Sequence, residues 1–353
     1  TTIKKPSDYF NTKLYTGTGS TNAITGVGFQ PDWVWLKNRN TGNTHEAFDS
    51  VRGATKTLYP DRADAEYVNT SGSLTSFNSD GFTVGSGDGA NKSGSGIASW
   101  NWLANGTGSA NTDGSISSTV SANTTSGFSI VKYNGNSTAG ATIGHGLGVA
   151  PSMIIIKAYS SQASGDNWVV YHKSMGNTKS IYLSLSNATD TGAGYFNNTS
   201  PTSSVFTVGN YDTVNRAVGD KAIIAYCFAD VQGYSKFGSY VGNGNADGTF
   251  IYTGFKPAWI MCKKYNVGGN WIMFDNKREP FNLNNDFLQA DLSDAEVTGN
   301  STIRCDFVSN GVKLRGTNNA INTSGGSYIY MAFAEQPLVG DNPATARWLC
   351  SYL

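Results

Sequence analysis

The chain has 353 residues, with 25 basic and 25 acidic side chains, so no overall field gathers nucleic acid or an anionic membrane. Only 14% of residues are charged and 42 are glycine; no long window carries the 3.6-residue rhythm of Ala, Leu, Glu, Lys and Arg that helices need. The length predicts two or three domains, the composition an all-β fold, and no stretch reaches the ~18 apolar residues that span a bilayer, which argues against membrane insertion.

In chain order, residues 1–13 carry Lys4 and Lys5 with no apolar run behind them, so a secretion signal is not expected and the segment reads as an N-terminal anchor. Residues 14–103 then open a pattern that recurs twice, at 126–236 and 237–335, and a recurring pattern outranks local structure in deciding a fold. Each copy begins at a Tyr-X-Gly turn: Tyr15 to Gly17, Tyr133 to Gly135 and Tyr240 to Gly242. Each continues with a proline, an apolar run and a lysine six residues beyond the proline, as Pro31 to Lys37, Pro151 to Lys157 and Pro257 to Lys263.

A proline presets φ at a strand entrance, and an apolar run without polar alternation is covered on both faces. One face of such a strand meets its own sandwich core; tandem packing or oligomer formation is expected to cover the other. The terminal lysine is expected to snorkel from the core edge to water. A second strand, at Trp168–His172 and Trp271–Asp275, pairs with the first as a hairpin, and its copy-one counterpart ends at Ala47-Phe48-Asp49. Asp49 and Arg52 recur as Asp275 and Arg278 and read as a pair fixing a turn, whereas copy two has His172 and Lys173 instead.

Further landmarks keep step: Asp80 to Gly85, Val205 to Gly209 and, more loosely, Asn310 to Leu314, then an aromatic closing strand ending at Trp102, Phe228 and Phe333. Residues 104–125 are nearly all Gly, Ser, Asn and Thr and read as a flexible linker, while only Asp230 to Lys236 separates copies two and three, which are therefore expected to touch. Residues 336–353 form a tail with Arg347, Trp348 and Tyr352. The whole predicts three tandem antiparallel β-sandwiches of jelly-roll or lectin-like type.

Chemistry-bearing residues are sparse. His45, His145 and His172 lie in unrelated contexts, His145 in a turn, and form no Ser-His-Asp set. Cys227, Cys262, Cys305 and Cys350 show no metal spacing and read as buried thiols. Asn243 to Gly248 imitates a calcium loop but meets Gly254 where a bidentate Glu is required, so it reads as a strand connection. No catalytic, metal-binding or cofactor-binding residue is predicted, and a non-enzymatic role is expected.

The strings KPSDYFNTKLYTG (5–17), ITGVGFQPDWVWLKNR (24–39), FDSVRGATK (48–56), SFNSDGF (76–82) and FGSY (237–240) resemble tandem-repeat virion proteins of tailed bacteriophages, marine ones especially. The resemblance implies a structural component of the particle surface, made in the host cytoplasm, of tail-fibre or receptor-binding type or of capsid-decoration type. Its implied partners are other virion proteins through the termini and a host-surface receptor or glycan, with a homotrimer expected by analogy to phage fibres. The alternative is a lectin-like adhesion module; most tryptophans, however, lie in strand patterns and read as core rather than as sugar platforms.

Overall fold

A computed structural model describes residues 2–160, 165–217, 219 and 222–336. The tail assigned to 336–353 falls outside them except for Gln336, which ends the last strand. The fold is all-β, built of antiparallel sheets that remain open, with only one-turn helices among the described residues.

One four-strand arrangement appears three times. A leading strand (Phe10–Thr16, Phe128–Asn134, Ser235–Val241) pairs with the closing strand (Gly96–Trp102, Ala222–Phe228, Ser327–Gln336). The closing strand pairs with the proline strand (Trp33–Asn38, Met153–Ala158, Lys256–Lys264), which in turn pairs with a partner strand (Glu46–Asp49, Val169–His172, Trp271–Asp275). The expected pairing of proline and partner strands is thus observed in all three copies.

The pleat divides each proline strand between two cores. Trp33 and Trp35, Met153 and Ile155, and Trp259 and Met261 all enter one apolar cluster shared by the three copies. The alternate residues Val34 and Leu36, Ile154 and Ile156, and Ile260 and Cys262 enter three separate clusters, one per copy. Each separate cluster also takes residues of a small second sheet: Asn22–Thr25 with Gly81–Val84, Ala141–Gly144 with Val205–Val208, and Phe250–Tyr252 with Gly311–Leu314. The cover for the second face is therefore tandem packing, with three sheets turned inward on one axis. At that axis the predicted landmarks meet: Trp102 lies 5.7 Å from Phe333, Phe228 lies 6.1 Å from Phe333, and Trp33 lies 5.9 Å from Phe228, measured between ring centroids.

Two segments depart from expectation. The 104–125 stretch is not a bare linker: Ser109–Asn111 pairs with Ser118–Asn123, which extends the copy-two sheet beside Phe128–Asn134. Main-chain hydrogen bonds do not require large side chains, and Ile116 and Val120, with Ala122 packed beside them, anchor this hairpin in the copy-two core. The 1–13 segment is likewise committed to the fold, because Ile3 and Phe10 are buried in the shared core and Phe10 stacks 4.8 Å from Phe333.

Candidate functional site

The three sheets meet along three seams, each built by equivalent residues. Where copy two meets copy one, Lys157 Nζ donates to Ala63 O (3.1 Å), Trp168 Nε1 to Tyr59 O (2.9 Å) and Glu66 N to Tyr159 O (2.9 Å). Where copy three meets copy two, Lys263 Nζ donates to Leu185 O (3.1 Å), Trp271 Nε1 to Tyr182 O (2.9 Å) and Thr189 N to Tyr265 O (2.9 Å). Copy one closes on copy three in the same way, through Lys37 Nζ to Ser293 O (2.8 Å), His45 Nε2 to Gln289 O (3.0 Å) and Glu296 N to Arg39 O (2.8 Å). Copy three thus returns to copy one, and the three copies form a closed ring.

This geometry corrects the reading of the lysines. Lys37, Lys157 and Lys263 are fully buried rather than snorkelled, and each ammonium is held by main-chain carbonyls of its own copy and of the neighbouring one. An aliphatic stem with a charged tip suits a core edge open to water or capped by carbonyls, and here the neighbouring copy occupies the edge. Burial draws each ammonium down to about 8.

Asp49 and Arg52 form the expected turn-fixing pair (2.6 Å), and Asp275 and Arg278 do so at 2.5 Å, all four side chains at most 1% exposed. The pairs also reach across seams. Tyr226 Oη of copy two donates to Asp49 Oδ2 (2.8 Å), and Trp100 Nε1 of copy one donates to Asp275 Oδ2 (3.1 Å). Arg52 and Arg278 each take a second carboxylate, Glu66 at 2.8 Å and Glu296 at 2.6 Å. Burial works against each guanidinium charge, but the neighbouring carboxylates outweigh it and hold the pKa above its ordinary value.

Copy two carries His172 and Met175 at the Asp and Arg positions and Thr189 at the Glu position, and the strand facing them supplies Met331 where the others supply Tyr226 and Trp100. His172 Nε2 donates instead to Tyr330 O (3.1 Å) while Nδ1 accepts from Ser174 N, and burial lowers its pKa to about 4, so the ring is neutral. His45 is neutral for the same reason: Trp35 Nε1 donates to its Nδ1 (2.8 Å), and burial holds the pKa well below its ordinary value. His145 lies in a loop, as expected, and is buried there, donating through Nε2 to Thr202 O (3.1 Å).

A threefold asparagine escaped the sequence reading. Asn91, Asn215 and Asn322 are fully buried at the ends of one-turn helices and donate to Gly85 O, Gly209 O and Gly316 O. Their Oδ1 atoms accept from Thr18 N, Asn136 N and Asn243 N, pinning the turn after each Tyr-X-Gly. The tyrosines of that landmark, Tyr15, Tyr133 and Tyr240, donate to the carbonyl just before each asparagine, at 2.6, 2.7 and 2.8 Å. A Cβ at Gly17, Gly135 or Gly242 would stand within 2.4 Å of a main-chain oxygen there, so glycine is required. The missed signal was a Gly with Asn six residues on, at 85/91, 209/215 and 316/322.

Other candidates are placed as follows. Cys227, Cys262 and Cys305 are buried thiols in the outer cores, Cys262 pushed up to about 12 by burial; Cys350 lies outside the described residues. Asp247 of the calcium-like loop pairs with Lys313 at 2.9 Å, and among the described residues no three His, Cys, Asp or Glu side chains converge as metal ligands. Seven tryptophans are buried, and Trp348 lies outside the described residues. Large exposed apolar side chains include Tyr67, Tyr252 and Phe281. No helix among the described residues is long and apolar enough to cross a membrane.

These features define an all-β chain whose three internal copies close on themselves through buried seams. A family model described as "Domain of unknown function (DUF7483)" matches residues 5–337, and the chain belongs to that family. The match runs through all three copies. Neither the curated proteins nor the solved structures contain a match.

Proposed function

We propose that the chain is a non-enzymatic structural protein on the surface of a tailed bacteriophage particle, of tail-fibre or receptor-binding type or of capsid-decoration type. In this reading it consists of three tandem β-sandwich modules, 14–103, 126–236 and 237–335, of jelly-roll or lectin-like form, and acts as a preassembled hub. The observation that carries it is the closed ring. One chain supplies the threefold core that fibre-type assemblies build from three chains, without disulfides between its buried thiols. The trimer expected by analogy is then contained in the monomer. The strongly shifted lysines, arginines and histidines are spent on the seams and the buried interior, where no substrate reaches them. Attachment to other virion proteins is assigned to the ends of the chain. Averaged images of the particle that encodes this chain, labelled with an antibody raised against it, should show discrete copies on the tail or shell; particles that lack the protein altogether would refute the reading.

A second form of the same role, adhesion to host-surface glycans, is favoured by one feature: the exposed Tyr252, at 63% of its surface, beside a cleft at the junction of copies two and three.

A further inference from the structure

We infer that the cleft at the Asp230–Lys236 junction is a binding site for a pyranose saccharide, with Tyr252 as its stacking platform. The inference rests on the glycan-adhesion form of the proposed function and gives it a place.

The cleft measures about 430 Å³ and is lined by Asp230, Gln232, Lys236, Tyr252, Thr253 and Gly254 among others, within the roughly 300–1,000 Å³ of small-ligand sites. What singles it out is a departure from the repeat. The registers of the small sheets make Tyr252, opposite Gly311, equivalent to Thr25 opposite Gly81 and to Gly144 opposite Val205. Two residues earlier on the same strand face, Phe250 stands where Ala23 and Thr142 stand. The fold therefore has no need of an aromatic at either position, yet copy three exposes two, at 43% and 63%.

The strand that carries Tyr252 is also held in place. Tyr330 Oη donates to the main-chain Tyr252 O (3.2 Å), and Gly254, at φ +84°, turns the chain two residues later. A tyrosine offers a rigid amphipathic face with little rotamer entropy to lose, and the C–H face of a pyranose is its natural counterpart. Around it stand groups that suit sugar hydroxyls: the exposed Gln232 amide, the Lys236 ammonium and the Asp230 carboxylate. Asp230 is rigid as well, since it accepts from Ser152 Oγ (2.7 Å), from Phe237 N (2.9 Å) and from Lys173. A rigid acceptor beside an aromatic on a held strand makes a site that loses little entropy on binding.

The test uses the full chain on an array of immobilised glucose-, galactose-, mannose- and N-acetylhexosamine-containing oligosaccharides, repeated with Tyr252→Ala, Tyr252→Phe and, as a control, Tyr67→Ala in copy one. Binding by the native chain should weaken at least tenfold in Tyr252→Ala and stay within about threefold in Tyr252→Phe and Tyr67→Ala, with unchanged melting temperatures. Binding that survives Tyr252→Ala overturns this site while leaving glycan adhesion standing. Absence of binding to every glycan by the native chain overturns both the site and the adhesion form of the function, and leaves the structural role.

Discussion

Two of the three seams carry a buried Asp–Arg–Glu set, and one carries neutral side chains in its place. Where copy one meets copy three, Asp275, Arg278 and Glu296 form a buried triad that accepts the Trp100 indole; where copy one meets copy two, Asp49, Arg52, Glu66 and Tyr226 do the same. Where copy two meets copy three, His172, Met175, Thr189 and Met331 fill the same places. All four positions change together, which is what burial demands. A carboxylate left without its guanidinium would be an uncompensated charge, whereas a full set of apolar or neutral replacements is self-consistent. A seam thus closes with or without the Asp–Arg–Glu set, and the shared apolar core rather than these ion pairs holds the ring shut.

The largest effect should follow from breaking the charged set in half. Arg278→Met leaves Asp275 buried without a cation, while Glu296 keeps only Arg39, and should cost about 3–5 kcal/mol in denaturant unfolding. Tyr226→Phe removes one donor from the buried Asp49 and should cost about 1.5–3 kcal/mol, while Met331→Leu, at the equivalent apolar place, should cost less than about 1.5 kcal/mol.

A carboxylate without a seam partner sharpens the contrast. Glu46 lies three residues before Asp49 on the same strand, at the place of Val169 and Ile272; its Oε2 has no hydrogen-bond partner, and burial raises its pKa to about 7. The folded state then binds the proton more tightly than the unfolded one, so stability is complete below about pH 4.5 and falls as pH rises to about 7. Glu46→Gln should remove that loss: its stability relative to the native chain should rise by about 3 kcal/mol between pH 4.5 and 8 in paired thermal melts. A pH-independent difference would contradict the buried, unpartnered state.

The smallest effect is the most informative. Replacing the whole charged set with the apolar one, as Asp275→His, Arg278→Met, Glu296→Thr and Trp100→Met together, should leave unfolding within about 1 kcal/mol of the native chain, far from the cost of Arg278→Met alone. A loss equal to or beyond the single variant's would show that charge, and not the shared core, closes that seam.

How much of this was legible in the sequence follows from what each residue has to satisfy. The proline strands were readable because burial on both faces forces an unbroken apolar run, and their pairing with the next strand was readable from the turn residues between them. The Asp–Arg pairs were readable because their spacing makes them local. The surface covering the inner faces was not, since Trp33 or Met261 reads the same whether another copy or another chain packs on it. The lysines misled because their fate depends on which backbone carbonyls arrive from the neighbouring copy. The hairpin at 109–123 was hidden because its pairing is made by main-chain groups under Ser, Thr and Asn side chains. For the cleft, Tyr252 escaped the sequence reading, because its departure from the other copies emerges only once the strand registers align it with Thr25 and Gly144.

The closed ring is tested most directly by small-angle X-ray scattering of the full chain in a monodisperse monomeric sample. A single compact body of this length should give a radius of gyration of about 20 Å, with one symmetric peak in its distance distribution. A markedly larger radius, with the long tail of modules strung end to end, would contradict the shared core and the seams built on it.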